Sequence, residues 1–381
     1  MSHKRNVSRR GIVHRNYFYK IIILSLILFQ FGCAKEQPLA SADYLLITDE
    51  ELATLNVNTS WEVVGNKKRD SLDKNLFYFT DMFFEDNEFY YGKTCIDRSG
   101  NVYLEKIDKD PVQITRKKYD HGDTDCMAFN GTELLTTVNR FKELIICRYD
   151  KNLNLIEEHS LKWMQEQNVD GFMCWQILPW QEGWIFLISI HPSGTDYFYN
   201  ENHLLFLDSS FQVQTDCDLG FYDGSYSSFV LQDDLVYLTR YAQNNKDSYE
   251  PTYGNMIDVF SLESQMIIDS YSLPYTTNGR FVQNAPDNVL VLDRTDAQTD
   301  RQIPIVLLWP ETGEVVPIVI DYEYPYASGP KPFISIGQDK IYFTYRPVIY
   351  SYHLANRTLE TVDLEALGFS DFLLFLKRST S

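Results

Sequence analysis

The sequence predicts an all-β fold built from a repeated four-stranded unit, and two observations lead to that prediction. Apolar or alternating runs of about five to eight residues, rich in Tyr, Phe, Val and Ile, are separated by Asn, Asp, Gly and Ser turns. Two families of hairpin turns alternate along the chain with a period of about fifty residues. Two antiparallel hairpins per period make four strands, which is the unit of a β-propeller blade.

The hairpins assign the strands of each unit, named A to D from the centre of the ring outwards. Strands A and B are joined in MFFEDNEFYY, MAFNGTELLT, ILPWQEGWIFL, FVLQDDLVYL, VQNAPDNVLVL and ISIGQDKIYF. Strands C and D are joined in IDKDPVQI, RYDKNLNLI, FLDSSFQVQ, FSLESQMII, WPETGEVVP and YHLANRTLE. Six units therefore extend from about residue 77 to residue 364.

The two chain ends decide the number of blades. YLLITDEELATLNVNTSWEVV before the first unit and FSDFLLFLKR after the last one together hold about as many strands as one further blade. Because a blade shared by both ends leaves no free sheet edge, we predict seven blades in a single domain over residues 43–378. In the six-bladed alternative, the end strands only extend or cover the ring. One helical turn is predicted within SLKWMQEQNVDGF.

The first 32 residues have the pattern of a secretory signal peptide. Six Lys and Arg residues and no acid precede the apolar run Ile21–Phe29, which is too short to cross the roughly 30 Å of hydrocarbon in a membrane. Gly32 stands directly before Cys33, and the segment resembles the signal peptide and lipobox of bacterial lipoproteins. In that family, cleavage before the cysteine leaves a lipid-modified N-terminus. Gln30 departs from the family, which prefers Leu three residues before the cysteine.

We therefore predict a signal peptide over residues 1–32, a lipid anchor at Cys33 and a tether over residues 33–42. An uncleaved short anchor and an ordinary cleaved signal are the alternatives. Six of the 34 Lys and Arg residues lie in the removed segment, so 28 cations and 53 acids remain, a net charge of −25. Such an acidic surface repels phosphates, so we expect no nucleic-acid partner and contact with a membrane only through the lipid anchor.

The other cysteines do not have the spacing of a metal site or of a disulfide framework. They lack a CxxC pair and a neighbouring histidine, and they are Cys95, Cys126, Cys147, Cys174 and Cys217. We expect buried thiols with at most one disulfide, no metal and no cofactor. The acidic loop YDHGDTD (residues 119–125) lacks the ligand order of a calcium loop and is predicted to be solvated.

The FGC sequence at residues 31–33 and the hairpin spacing together indicate a family. Over residues 33 to about 378 the chain resembles bacterial envelope lipoproteins with a TolB-like six- or seven-bladed β-propeller, many of them uncharacterised. The resemblance implies a folded domain outside the cytoplasm, anchored to a membrane of the cell envelope, that binds a ligand or a partner on the ring. It implies no reaction, and no WD dipeptide, Asp-box or quinoprotein metal motif is present.

The longest predicted connections link strand B to strand C or one blade to the next, and both kinds gather at one end of a propeller. A rigid scaffold often presents its functional residues on such loops. The long connections lie at residues 116–125, 191–203, 241–255, 293–302 and 321–332.

A cation ends strand B in most units, although the protein is acidic. The predicted positions are Arg140, His191, Arg240, Arg294 and Arg346, with Arg98 just past its strand. Guanidinium groups suit carboxylates and phosphates, so these residues predict a basic ring around an anion-binding funnel. In the alternative, each arginine pairs with a carbonyl or with an acid such as Asp170, Asp223 or Asp321, and holds the blades together.

Tyrosines, among them Tyr197 and Tyr199, crowd the same loops. A tyrosine offers an apolar face and a polar tip, which suits the recognition of carbohydrate or protein, although such rings also pack loops onto a scaffold.

Two functions agree with these features. The first is a non-catalytic, lipid-anchored binding or scaffold module whose partner is an envelope protein, a carbohydrate or an anionic small ligand. The second is an enzyme acting on an anionic saccharide or a lactone, in which arginines hold the carboxylate and His191 or His121 transfers a proton. The spacing assembles no carboxylate pair, no nucleophile with its base and no four-ligand metal set, so no catalytic residue is assigned.

Overall fold

The computed structural model describes residues 42–48, 51–57, 61–68, 76–85, 88–96, 101–119, 126–140, 142–196, 199–244, 251–273, 281–282, 288–293, 305–320, 334–336, 339–345, 348–369 and 374–378. These residues form seven antiparallel sheets arranged as a β-propeller. In each blade that is formed by one continuous segment of the chain, the strands follow chain order from the centre outwards. Most of the innermost strands contact the innermost strand of a neighbouring blade.

The chain enters the ring with three strands of blade seven and then forms blades one and two. The entering strands are β1 (Tyr44–Ile47), β2 (Glu51–Asn56) and β3 (Glu62–Lys68). Blade one contains β4 (Leu76–Glu85), β5 (Phe89–Ile96), β6 (Asn101–Lys109) and β7 (Val112–Tyr119). Blade two contains β8 (Met127–Phe129), β9 (Glu133–Arg140), β10 (Glu143–Asp150) and β11 (Leu155–Ser160).

A short helix, α1 (Lys162–Glu166), links blade two to blade three and confirms the predicted helical turn. Blade three contains β12 (Val169–Trp180), β13 (Gly183–Pro192), β14 (Glu201–Leu207) and β15 (Val213–Asp218). Blade four contains β16 (Gly224–Gln232), β17 (Leu235–Asn244), β18 (Pro251–Tyr253), β19 (Met256–Ser261) and β20 (Met266–Ser272).

The remaining strands form blades five and six and complete blade seven. Blade five contains β21 (Phe281–Val282), β22 (Leu290–Asp293), β23 (Ile305–Trp309) and β24 (Glu314–Ile318). Blade six contains β25 (Ile334–Ile336), β26 (Lys340–Tyr345), β27 (Val348–His353) and β28 (Thr358–Asp363). A 3₁₀ turn (Glu365–Leu367) then leads towards β29 (Leu374–Lys377).

Blade seven is shared by the two chain ends. β29 is its innermost strand and pairs antiparallel with β1, so that Tyr44 lies opposite Lys377 and Ile47 opposite Leu374. The predicted seven-bladed ring is confirmed, and the six-bladed alternative is wrong. The end strands cannot be an external extension, because they form a complete sheet whose side chains belong to the core between blades six and one.

The hydrophobic core lies between the blades. Among the described residues, six clusters of buried side chains fill the spaces between neighbouring sheets around the ring. In the cluster that joins blade seven to its neighbours, Tyr44 stacks on Phe375 with ring centroids 4.5 Å apart, and Tyr342 of blade six meets both rings edge-on. Strands B and C face a neighbouring blade on both sides, which explains their long apolar runs.

The outer hairpins of blades two and three have turns of the same conformation. The side chains of Asp150 and Asp208 each accept hydrogen bonds from backbone N–H groups two and four residues later. Three residues after each aspartate, Leu153 and Phe211 adopt a positive φ of 62° and 61° and bury their side chains. The aspartate stabilises the turn, and the buried apolar side chain fixes it to the blade.

Four of the cysteines are buried free thiols, as predicted: Cys126, Cys147, Cys174 and Cys217. Burial raises the pKa of both the Cys147 and the Cys217 thiol to about 11, so these groups stay protonated. Cys33 and the side chain of Cys95 lie outside the described residues. Within the described part of the chain, no helix has the length and apolar character needed to cross a membrane.

Candidate functional site

The two ends of the ring differ. Because successive strands are antiparallel, the B–C connections and the connections between blades lie at one end, which we call the loop face. The hairpin turns A–B and C–D lie at the opposite end, the turn face. The described part of the loop face is most extensive at blades three and four, in residues 193–196, 199–200 and 219–223 and in the strand ends beside them.

Blade four extends a β-ribbon at the loop face. The end of β17 pairs with β18, which places Ala242 opposite Tyr253 and Asn244 opposite Pro251. The connection predicted as a loop over residues 241–255 is therefore partly a two-stranded ribbon. At its base, a Cβ atom on Gly254 would lie 2.2 Å from the carbonyl oxygen of Arg240, so only glycine allows the two backbones to approach this closely.

Arg240 forms a two-pronged ion pair within blade four. Its Nε lies 2.7 Å and its second terminal nitrogen 3.0 Å from the two carboxylate oxygens of Asp258, which is fully buried on β19. The hydroxyl groups of Tyr226 and Ser270 also donate to this carboxylate, at 2.6 Å and 2.7 Å. The guanidinium group additionally lies over the ring of Phe221, 4.5 Å from its centroid.

This ion pair resembles the alternative in which an arginine at a strand end pairs with an acid and holds the structure together. One detail of that alternative is corrected. The acid that pairs with Arg240 is Asp258 on the adjacent strand of the same blade, and not Asp223 in the connection between blades. Among the described contacts of Arg240, the one with Phe221 reaches the connection from blade three. Arg240 pairs with Asp258 because this carboxylate is buried, and a buried charge requires a close and well-aligned partner.

The other predicted cations are placed less completely. Arg140 ends β9, and its side chain is exposed. Arg294, Arg346 and Tyr197 lie outside the described residues, so a funnel formed by three converging arginines stays a prediction.

His191 supports the B–C connection of blade three. Its Nδ1 lies 2.7 Å from the carbonyl oxygen of Tyr199, and since a carbonyl only accepts, Nδ1 carries the proton and donates. At the start of the same connection, Ser193 donates its hydroxyl to Asp170 at 2.7 Å and its backbone N–H to Asn168 at 2.8 Å. These bonds hold the connection against strand β12.

Two tyrosines from different connections stack at the loop face. The rings of Tyr199 and Tyr222, which we call the tyrosine pair, have centroids 5.3 Å apart and planes 9° from parallel. The Tyr222 hydroxyl donates to Asp218 at 2.7 Å, and the Tyr199 hydroxyl donates to Glu201 at 3.3 Å. The hydrogen bond to Asp218 raises the pKa of Tyr222 to about 12.

Buried polar groups hold the tyrosine pair in place. Asn202 is completely buried on β14, and its amide donates to the carbonyl oxygens of Phe221 at 2.5 Å and Gly224 at 3.0 Å. Its own carbonyl accepts from Ser189, whose hydroxyl accepts from the Trp175 indole at 2.8 Å. The connection that contains Tyr222 is thus fixed to blade three from below, and the site is pre-organised.

A histidine that the sequence analysis did not single out lies beside this site. His203 Nδ1 is 2.7 Å from Asp216, which also accepts the Trp163 indole N–H at 2.9 Å. The other ring nitrogen of His203 is buried without a hydrogen-bond partner among the residues that the structure describes, 3.9 Å from Glu201. His203 and Asp216 stand diagonally across β14 and β15, so only the strand register could have shown that they meet.

The described loop face of blades three and four carries a net negative charge. The charge of its single described arginine, Arg240, is neutralised by Asp258, and the opposite charges of Lys162 and Glu166 on α1 cancel in the sum. Six acids lie around the tyrosine pair and the neighbouring connections: Asp170, Asp196, Glu201, Asp216, Asp218 and Asp223. Among the residues that the structure describes, no group of three or more His, Cys, Asp or Glu side chains could hold a metal ion.

The sequence matches no protein-family model and no curated protein. Similar solved structures include the dihydro-heme d1 dehydrogenase NirN in complex with DHE, at 11% identity and a TM-score of 0.48 over 86% of this chain and 75% of that one. Apo AztD from Citrobacter koseri has 10% identity and a TM-score of 0.48 over 87% and 96%. The Neurospora crassa Pan2 WD40 domain has 10% and 0.47 over 81% and 85%. Such identities do not extend to function.

Proposed function

We propose that this chain is a non-catalytic binding or scaffold module of the bacterial cell envelope, in the manner of the TolB-like propeller lipoproteins. A lipid on Cys33 anchors it, and the loop face of blades three and four binds the ligand or partner. The tyrosine pair is the main support for this site, because it combines partly exposed aromatic rings with carboxylates on a pre-organised base. Long connections gathered at one end of a rigid ring are a common place for such a site.

The direction in which the chain enters the ring supports the same proposal. The described chain begins beside β1 at the turn face, where the backbone N–H of Arg378 donates to the carbonyl oxygen of Asp43 at 2.8 Å. Eight residues lie between Cys33 and Ala42, so the nine Cα-to-Cα steps that join them can span at most about 30 Å. A lipid at Cys33 would then hold the turn face towards the membrane and leave the loop face directed away from it.

We favour binding over catalysis because the two described residues of the proposed enzyme site are engaged in structural contacts. Arg240 is paired with buried Asp258 through two of its three nitrogens, so its charge is already neutralised within the blade. His191 donates from Nδ1 to a backbone carbonyl, which gives it a role in supporting the loop. His121, the other candidate for proton transfer, lies outside the described residues.

Replacing the anchor residue is expected to release the protein. In Cys33→Ser the lipid can no longer be attached, so the protein should leave the membrane fraction or accumulate as an uncleaved precursor. The several acyl chains of a mature lipoprotein bind a membrane firmly, whereas one chain gives only marginal binding. The measurement is membrane fractionation with intact-mass analysis. Unchanged fractionation and unchanged mass would contradict the anchor.

Photo-cross-linking in cells tests the binding face. A benzophenone amino acid at Thr195, an exposed position of the loop face, should give discrete adducts with a partner. The matched control is the same amino acid at Ser264, which is exposed in a hairpin turn of the turn face. Adducts from both positions alike, or from Ser264 only, would overturn the proposed binding face.

A further inference from the structure

We propose that the tyrosine pair binds an organic cation, namely the ammonium or guanidinium group of a lysine- or arginine-containing segment of a partner protein. This inference rests on the proposed function and names the chemistry of its site. It depends on the electronic state of the two rings, on the carboxylates beside them and on a buried acceptor that lacks a donor.

The hydroxyl groups make both rings electron-rich. Each phenol donates its proton to a carboxylate, Tyr222 to Asp218 and Tyr199 to Glu201, which moves electron density towards the ring. The pKa of each phenol is raised, so both side chains stay neutral at physiological pH and their hydroxyl groups remain hydrogen-bond donors. A cation over the face of such a ring is attracted by its quadrupole, and both rings are half-buried, so part of each remains accessible.

The same carboxylates can also accept hydrogen bonds from the bound cation. An ionised carboxylate has about four lone-pair sites. Asp218 accepts from the Tyr222 hydroxyl and from the backbone N–H of Gly220, so acceptor capacity is left for an N–H donor of a ligand. An ammonium or guanidinium group that stacks on Tyr222 would therefore gain a charge-assisted hydrogen bond from the same position.

His203 supplies an independent indication of a missing donor. The residue is nine-tenths buried, and within the described part of the chain its Nε2 has no hydrogen-bond partner, although Nδ1 is bound to Asp216. A buried acceptor left without a donor is costly. Nε2 faces the Glu201 carboxylate at 3.9 Å, and an N–H donor that reached this gap would satisfy both groups.

The surrounding charges favour a cation over an anion. Glu201 and Asp218 contact the tyrosine pair, four further acids lie in the same part of the loop face, and the described arginine of the region is paired with Asp258. An anion would therefore be repelled at the site itself. The large net negative charge of the chain would in turn steer a basic segment of a partner towards this face, and more strongly at low salt. A partner segment is favoured over a free amine, because it can engage both the tyrosine pair and the acids around it.

The test is the binding of a fluorescein-labelled tetra-arginine peptide, followed by anisotropy at low and at physiological salt. We expect the tetra-arginine peptide to bind saturably and spermidine to compete with it only weakly. A tetra-glutamate peptide and the neutral sugar chitotriose should not bind. Tyr222→Leu should raise Kd about 3- to 30-fold, the range expected for the loss of a cation–π contact. Asp218→Asn should raise Kd about 10- to 150-fold, the range expected for the loss of one hydrogen bond to a charged group. Tyr222→Phe, which keeps the stack and loses the bond to Asp218, should have an intermediate effect.

The matched control is Glu263→Gln, which removes one exposed acid from the turn face and should leave Kd unchanged. Melting curves of all variants check that the fold is intact. The inference is overturned if the peptide does not bind, or if Glu263→Gln weakens binding as much as Asp218→Asn does, which would indicate an unspecific acidic surface. It is also overturned if spermidine displaces the peptide with equal affinity, or if the sugar or the acidic peptide binds instead. In that last case cross-links from Thr195 would still support the proposed binding face.

Discussion

Deletion of residues 372–381 should lower the melting midpoint by at least about 10 °C or prevent cooperative folding altogether. The deletion removes β29, whose Leu374, Phe375 and Leu376 are completely buried. Each such side chain contributes about 1.5–3 kcal/mol through burial, and about 1 kcal/mol corresponds to 2–4 °C in a domain of a few hundred residues. The deletion also exposes the backbone of β1, which would become a free edge at the centre of the ring.

Polar contacts at the turn face add to this effect. Arg378 is 3% exposed, and its Nε donates to the carbonyl oxygen of Lys109 in blade one at 2.8 Å. Glu85 of blade one accepts from the Lys109 ammonium at 2.6 Å and from the backbone N–H of Lys377 at 3.1 Å. These bonds join the end of the chain to blade one, so the ring is closed by charge as well as by packing.

Thermal unfolding followed by circular dichroism measures the effect of the deletion. The control is a shorter deletion of residues 379–381, which leaves β29 and Arg378 in place and should change the midpoint little. Equal midpoints for the two truncated proteins would mean that β29 does not close the ring.

Arg240→Ala should reduce the free energy of unfolding by about 3–5 kcal/mol, the usual cost of removing one partner of a buried ion pair. Asp258 would be left completely buried, and the described donors that remain to it would be the hydroxyl groups of Tyr226 and Ser270. Denaturant unfolding measures this loss. If Arg240 instead bound a ligand and had no structural role, its replacement would leave stability nearly unchanged.

A double variant separates charge from packing in the second prediction. Arg240→Ala combined with Asp258→Asn removes the buried charge and should recover part of the lost stability, because a neutral amide costs less to bury. A double variant that is less stable than Arg240→Ala by the full cost of a second substitution would show that the two residues act independently.

The architecture could be predicted because it depends on local signals that recur. Turn residues mark each hairpin, and their period of about fifty residues counts the blades without any knowledge of tertiary contacts. The contribution of the chain ends followed from the need to leave no free edge, and the pairing of β1 with β29 confirms it. These features are properties of neighbouring residues or of topology, so one sequence is sufficient to find them.

The site could be predicted only in part, because its contacts join segments whose register the sequence does not reveal. The sequence indicated tyrosines in the loops, but the stacking of Tyr199 on Tyr222 brings together two connections that end on different strands. The pairing of Arg240 with Asp258 depends on the register in which β17 pairs with β19. His203 and Asp216 meet only because β14 and β15 pair in one particular register.

Hydrogen–deuterium exchange with and without the tetra-arginine peptide tests the central claim, that the loop face of blades three and four is the binding site. Slowed exchange is expected in residues 193–201 and 216–224, which contain both tyrosines and their carboxylate partners. Residues 261–266, a hairpin turn at the opposite end of blade four, should exchange at the same rate in both states. Slowed exchange confined to the turn face, or no change at the tyrosine pair when the peptide is bound, would contradict the claim.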